Sequence, residues 1–356
     1  MSKRFYSLDV LRGLAIAIML VVDAPPDKIY PLLEHAPWQG LTIADLAFPM
    51  FAFAMGTSAA ISMSRREPST KRIFKRAAIL FALGFFLNVL PSICAGEIFF
   101  GNLRLFGVLQ RLAITYAAAI FIVKIFRHDL EILIAAFALL IVSSAGFHLY
   151  APENPFDQMH NLSGFVDWTF PTANHIYTPT HDPEGLYGAI AGTASVLFGF
   201  LAGKILLYNS TSLKKFFLLA TAGVAMLIAG GLWTNFDIVS KNLWTAPFAL
   251  INAGIDLILL ALLVKFVDNQ SPKKFSQPLC ALGKNPLFFF MANNVVLTIL
   301  FSINVGDTNL YMQIYRHTTQ GIFSTELDAT LFCLLWCMMW LLPAEIFSKL
   351  NVTIKL

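Results

Sequence analysis

A chain of 356 residues that is 57% hydrophobic and only 13% charged, with a mean hydropathy of +0.68, is too apolar for a soluble domain, in which about a quarter of the residues are charged. Its formal net charge of +4 includes no basic run of the kind that marks nucleic-acid binding. The composition predicts an all-α, polytopic integral membrane bundle of about ten transmembrane helices, one domain over 1–356, with the lipid bilayer as its surroundings and no nucleic-acid partner.

The apolar segments fall near 8–24, 41–63, 72–91, 107–126, 129–148, 186–207, 214–232, 244–266, 284–303 and 327–347. The first lacks a small-residue cleavage site ahead of a soluble domain, so it reads as a retained helix and not a signal peptide. Pro25 and Pro26 end it. Asp182-Pro183-Glu184 reads as the start of the sixth span, with an acid at the cap and proline in the first turn. Gly283 reads as the opening of the ninth. The four cysteines form no framework: Cys94 and Cys280 read as loop residues, and Cys333 and Cys337 share a helix face. No Cys/His spacing predicts a metal.

Loop charges set the expected topology. Arg65, Arg66, Lys71, Arg72, Lys75, Arg76, Arg127, Lys214, Lys215, Lys273 and Lys274 follow even-numbered spans; Lys3, Arg4, Lys349 and Lys355 lie near the termini. Only Lys28, Arg104, Lys241 and Arg316 follow odd-numbered spans. The positive-inside rule then predicts that both termini are cytoplasmic and that His35 and the long loop 149–185 lie on the outer, periplasmic face. The aromatic and polar side chains of that loop suit interfacial packing or a sugar.

His35 opens the most informative stretch, HAPWQGLTIADLAFPMFAFAMG over 35–56. An imidazole at the mouth of a membrane helix can be an interfacial residue bonded to a loop carbonyl, or a general base for acyl transfer. Trp38, three residues on, can shield it from water, and Asp23 can orient it, bind a substrate amine, or simply end a helix. Asp45 lies one turn inside the second span, where an unpaired carboxylate is costly; Arg111, at similar depth in the fourth span, is its expected partner. Gln110 and Arg111 line a cavity or hold helices together. Asp9 and Arg12, three residues apart, share a helix face and can pair.

The motifs SLDVLRG (7–13), HAPWQGLTIADLAFPMFAFAMG, RLFGVLQRLAITY (104–116), DPEG (182–185), NLWTAPFALINAG (242–254) and LGKNP (282–286) occur in this order. Together they resemble the heparan-α-glucosaminide N-acetyltransferase family and its bacterial relatives. The resemblance implies an acetyl-CoA-dependent membrane acetyltransferase acting on the amine of a glucosamine-type sugar, in a bacterial inner membrane. It implies that His35 is the catalytic histidine. The family's asparagine near the end of the preceding helix falls near Asp23, where this chain has an acid and a spacing one residue longer.

Acetyl-CoA is made in the cytoplasm, whereas His35 is expected outside. A polar crevice between the first, second and fourth spans can admit the thin pantetheine arm, and the cytoplasmic cations, Arg65 and Arg66 among them, can attract its phosphates. The expected site is therefore His35 and Asp23 for catalysis, Trp38, Asp45, Gln110 and Arg111 for the acceptor, and Arg12, Arg65 and Arg66 for acetyl-CoA, with no metal. A homodimer is held open. Two other readings stand beside it: a membrane O-acyltransferase of surface glycans, and an amino-sugar transporter, although no internal repeat of the kind common in transporters is present.

Overall fold

The structure is a computed structural model that describes residues 4–96, 100–268 and 276–354. The chain is helical almost throughout: α1 (Tyr6–Val22), α2 (Ala47–Met63, preceded by one tight turn at Ala44–Leu46), α3 (Thr70–Ala95), α4 (Val108–Ile125), α5 (Asp129–Tyr150), α6 (Leu162–Asp167), α7 (Ala189–Leu207), α8 (Ser212–Trp233), α9 (Ala246–Phe266), α10 (Gln277–Lys284), α11 (Pro286–Ser302), α12 (Leu310–Thr318) and α13 (Thr325–Lys349). A two-strand hairpin pairs Asn304–Val305 with Thr308–Asn309. Among the described residues, eight helices are long and apolar enough to cross a membrane, and a ninth span results if the bent pair α10–α11 counts as one. At 17 residues α1 reaches about 25 Å at 1.5 Å per residue, just under the ~30 Å hydrocarbon core. The chain is thus a multi-pass membrane protein, and each expected apolar segment overlaps a helix. Lys3, Lys273, Lys274 and Lys355, which contribute to the charge bias of the loops, lie outside the described residues.

Helix starts follow local chemistry. The side chains of Asn161, Thr211, Asn309 and Ser324 each accept from a backbone N–H of the first turn of α6, α8, α12 and α13, satisfying a group that the helix cannot. Proline stands in the first turn of α9, α10 and α11, where its missing N–H costs nothing.

In lipid the helices associate by close packing, which favours small residues at crossings. A Cβ on Gly56 of α2 would lie 1.9 Å from the Val196 carbonyl oxygen of α7, and one on Gly199 of α7 would lie 2.0 Å from the Phe53 carbonyl oxygen. The α1–α10 crossing is as tight: a Cβ on Gly13 would meet Leu279 O at 1.8 Å, and one on Gly283 would meet Asp9 O at 1.7 Å. The motifs SLDVLRG and LGKNP are two sides of one contact. Phe74, Ile134, Ile141, Phe217, Val224 and Ile228 of α3, α5 and α8 are exposed and form lipid-facing surface.

Three boundaries differ from the sequence reading. Gly283 lies inside α10; the ninth span opens at Pro286 after an 84° bend. At the bend the Asn285 side chain donates to Val352 O (2.9 Å) and accepts from Ile354 N (2.7 Å). Asp182-Pro183-Glu184 does not start a helix: α7 begins at Ala189, because the Asp182 carboxylate is already held by Arg104 and by the backbone N–H groups of Tyr177 and Glu184. Cys94 and Cys280 sit in α3 and α10 instead of loops.

Candidate active site

The segment between α1 and α2 runs outward and returns, so that His35 comes back over the start of α2. His35 Nδ1 lies 2.8 Å from Asp45 Oδ1. Asp45 is wholly buried, while the His35 side chain is 42% exposed. The other Asp45 oxygen accepts from Ala36 N (3.1 Å) and Thr42 N (3.2 Å). The Thr42 hydroxyl donates to Glu34 O at 2.6 Å, which closes the loop on itself. With the Asp45 carboxylate on Nδ1, the ring donates from that nitrogen, and Nε2 is the one turned away from the carboxylate.

This arrangement corrects the expected pairing of Asp45 with Arg111. The returning loop supplies Asp45 with donors of its own. Arg111 instead donates to Gly185 O (2.6 Å) and lies over the Trp244 ring. Gly188 leaves room for it, since a Cβ there would come within 2.5 Å of its guanidinium.

His35 faces a cavity of about 660 Å³ that is also lined by Asp23, Arg104, Tyr177, His181, Glu184 and Lys241. Arg104 grips the Asp182 carboxylate, with Nε at 2.9 Å, forms an ion pair with Glu184, and stacks on Tyr177 at 4.5 Å. Burial raises the Glu184 carboxyl, but the charges of Arg104, Arg111 and Lys241 more than reverse this and hold it below its usual range. Burial pushes the His181 imidazole below its ordinary value, so it faces the cavity neutral. Acids, two cations and a second imidazole thus share the cavity with His35.

The turn between α8 and α9 closes the cavity from the other side. Gly40 N donates to Val239 O (2.8 Å) and the Asn242 amide donates to Pro37 O (3.0 Å). Trp244 in the same turn has φ +50°, a left-handed conformation costing a bulky residue about 1–3 kcal/mol. It is held by burial and by an indole hydrogen bond to Ser195 Oγ (3.2 Å). The result sets Lys241 Nζ 3.1 Å from His35 Nδ1 and 3.4 Å from Nε2.

A second cavity, of about 500 Å³, opens toward the opposite end of the bundle and is lined by Arg12, Ser58, Arg76, Lys284 and Asn285. Phe51 of α2, Val108 of α4 and Phe290 of α11 line both cavities. Arg12 pairs with Asp9 at 3.2 Å. Among the described residues, no acceptor meets the buried Nε atoms of Arg12 and Arg76, which suits an anionic guest.

The structure brings together His35, Asp23 and Asp45, the last behind the histidine and not in the cavity. Trp38, Gln110 and Arg111 line neither cavity. Trp38 ties the outer loop by donating to Phe156 O (2.9 Å) and packs edge-on against His181. Gln110 is buried and donates to Leu105 O (3.1 Å). Arg65 and Arg66 are exposed past the end of α2 and line neither cavity. Sequence reasoning assigned no site role to Lys241, Arg104 or Glu184. The signal for the first two was present: they are two of the few cations found against the charge bias of the loops.

Residues 4–162 match the family described as heparan-alpha-glucosaminide N-acetyltransferase, catalytic. A heparan-alpha-glucosaminide N-acetyltransferase from Homo sapiens is 27% identical over 389 aligned positions, covering 92% of this chain and 58% of the human protein. One from Mus musculus is 25% identical, with the same coverage of each chain. The chain therefore spans less than two thirds of the length of these relatives. The likeness carried by the ordered motifs is found by each of these comparisons: over 92% of its length this chain is similar to heparan-alpha-glucosaminide N-acetyltransferases.

Proposed function

We propose that this protein is a membrane acetyltransferase that moves the acetyl group of cytoplasmic acetyl-CoA to the amine of a glucosamine-type sugar at the periplasmic face of a bacterial inner membrane, working as one transmembrane unit over 1–356. One observation carries the reading: a carboxylate-held histidine lines a cavity that shares Phe51, Val108 and Phe290 with a second, cationic cavity. Arg12, Arg76 and Lys284 suit the phosphates of CoA, and Arg65 and Arg66 add attraction from outside the cavity. The gap between Phe51, Val108 and Phe290 suits the pantetheine arm.

His35 Nε2 removes a proton from the acceptor amine as its nitrogen attacks the thioester carbonyl. The N–C bond forms, the C–S bond breaks, and the departing thiolate takes the proton from His35. Asp45 stabilises the imidazolium in between, as the acid of a catalytic triad does. Asp23 and Glu184 give the cavity acidic walls that can accept hydrogen bonds from the neutral amine and the hydroxyls of an amino sugar, and Arg111, Gln110 and Trp38 act by holding those walls in place.

The test is acetyl transfer from acetyl-CoA to glucosamine by the purified protein in detergent. His35→Ala is expected to bind CoA but lose transfer. Substantial turnover by that variant sinks the reading. Competition with hydroxyl acceptors separates N- from O-transfer, and label retained on the protein without acceptor identifies an acetyl-histidine step.

A further inference from the structure

Acyl transfer by His35 leaves one need unmet. As the amine attacks, negative charge builds on the thioester oxygen, and stabilising that charge is commonly what accelerates acyl transfer most. Neither the His35–Asp45 pair nor the acidic walls can do this.

Lys241 is placed to. Its Nζ is nearly equidistant from the two ring nitrogens of His35, at 3.1 and 3.4 Å. In the plane of the ring that position would collide with the carbon between them, so the ammonium lies over the ring face. Imidazole lone pairs lie in the ring plane, and the Nδ1 N–H is directed at Asp45; an ammonium over the ring face is poorly placed to donate to either nitrogen. The nearest carboxylate oxygen, Asp45 Oδ1, is 3.6 Å away, an ion-pair distance but long for a hydrogen bond. The Lys241 side chain is 16% exposed and lines the cavity. Its N–H groups are therefore available to whatever sits beside His35 Nε2.

We propose that Lys241 is a catalytic residue whose ammonium donates to the thioester carbonyl oxygen and holds the oxyanion of the tetrahedral intermediate. This rests on the acetyltransferase reading. The step is balanced: the amine nitrogen bonds the carbonyl carbon, its proton goes to His35 Nε2, and the carbonyl π pair goes to the oxygen facing Lys241. Collapse returns that pair, breaks C–S, and sends the His35 proton to sulfur. The strained Trp244 turn and the Asn242–Pro37 bond are then the means of fixing Lys241 against a loop distant in sequence.

The experiment compares the wild-type chain, Lys241→Met and Lys241→Arg in kcat, KM and melting temperature, with acetyl-CoA and glucosamine. Lys241→Met is expected to lose about 100-fold or more in kcat, the scale of a lost oxyanion donor, with KM and melting nearly unchanged. Lys241→Arg is expected to recover part of the loss. A Lys241→Met variant within a few-fold of wild type overturns the proposal. So does a loss in both variants accompanied by a lowered melting temperature, which marks a structural lysine. A wild-type chain that transfers no acetyl at all defeats the acetyltransferase reading itself, a different outcome from either.

Discussion

Asp45 Oδ1 lies 2.8 Å from Nδ1 of His35, ten residues earlier in the chain. The carboxylate is buried and the imidazole is open to the cavity that Asp23 and Lys241 also line. This contact fixes which ring nitrogen is the base, and it does so within a single loop. The loop also satisfies the remaining carboxylate oxygen through Ala36 N and Thr42 N, so a costly buried charge is paired wherever the neighbouring helices stand.

Asp45→Asn tests that relationship. The asparagine carbonyl oxygen can still accept from Ala36 N and Thr42 N, which turns its NH2 toward His35. Nδ1 must then accept, the ring proton moves to Nε2, and the base is lost. The expected result is a fall in kcat on the order of 10²–10⁴, as when a triad carboxylate becomes an amide. Binding of CoA and the melting temperature should change little. Full activity in this variant would remove Asp45 from the mechanism.

Much of this was legible in the chain, and the omissions have physical reasons. Long apolar runs mark spans because lipid demands a closed backbone hydrogen-bond ladder, and His35 stood out as a titratable group at a helix mouth. The partner of Asp45 was misread because matching charges by membrane depth points to Arg111, whereas a re-entrant loop brings a partner from ten residues away. An acid followed by proline signals a turn as well as a helix start, and Arg104 decides between them at Asp182. Lys241 lies 206 residues from His35, and no periodicity reports such a contact. The 84° bend at Asn285 was hidden because hydropathy reads composition and not direction.

Val108 lines both cavities, together with Phe51 and Phe290. Val108→Trp should obstruct the gap while leaving His35 and Lys241 in place. Transfer from acetyl-CoA is expected to fall at least ~10-fold, since a donor held short of attack distance loses the benefit of proximity. Transfer from a short thioester, S-acetyl-N-acetylcysteamine, which can enter from the outer side, should fall much less. The ratio of the two rates, together with an unchanged melting temperature, is the measurement. Equal losses for both donors would show that acetyl-CoA does not approach between these side chains.

Asp167 supplies a pH dependence separable from catalysis. It ends α6 in the segment between α5 and α7, is fully buried, and accepts from Asp182 N (3.0 Å) and Leu186 N (3.3 Å). Burial pushes its carboxyl up to about 7; the Asp182 N–H opposes that shift, and the Asp182 charge adds to it. The fold thus prefers the protonated form, while the opened segment has an ordinary carboxyl near 3.8. The sign follows: the stabilisation is full below the ordinary value and is lost as pH rises through about 7, by up to about tenfold in the opening equilibrium per pH unit. Hydrogen-exchange protection factors over 162–186, corrected for intrinsic exchange, should fall between pH 5 and 7 and then level off. Asp167→Asn, which cannot ionise but keeps an oxygen for one of the two N–H groups, should flatten the profile and retain protection at pH 8. A profile that does not change with this substitution would place the titrating group elsewhere.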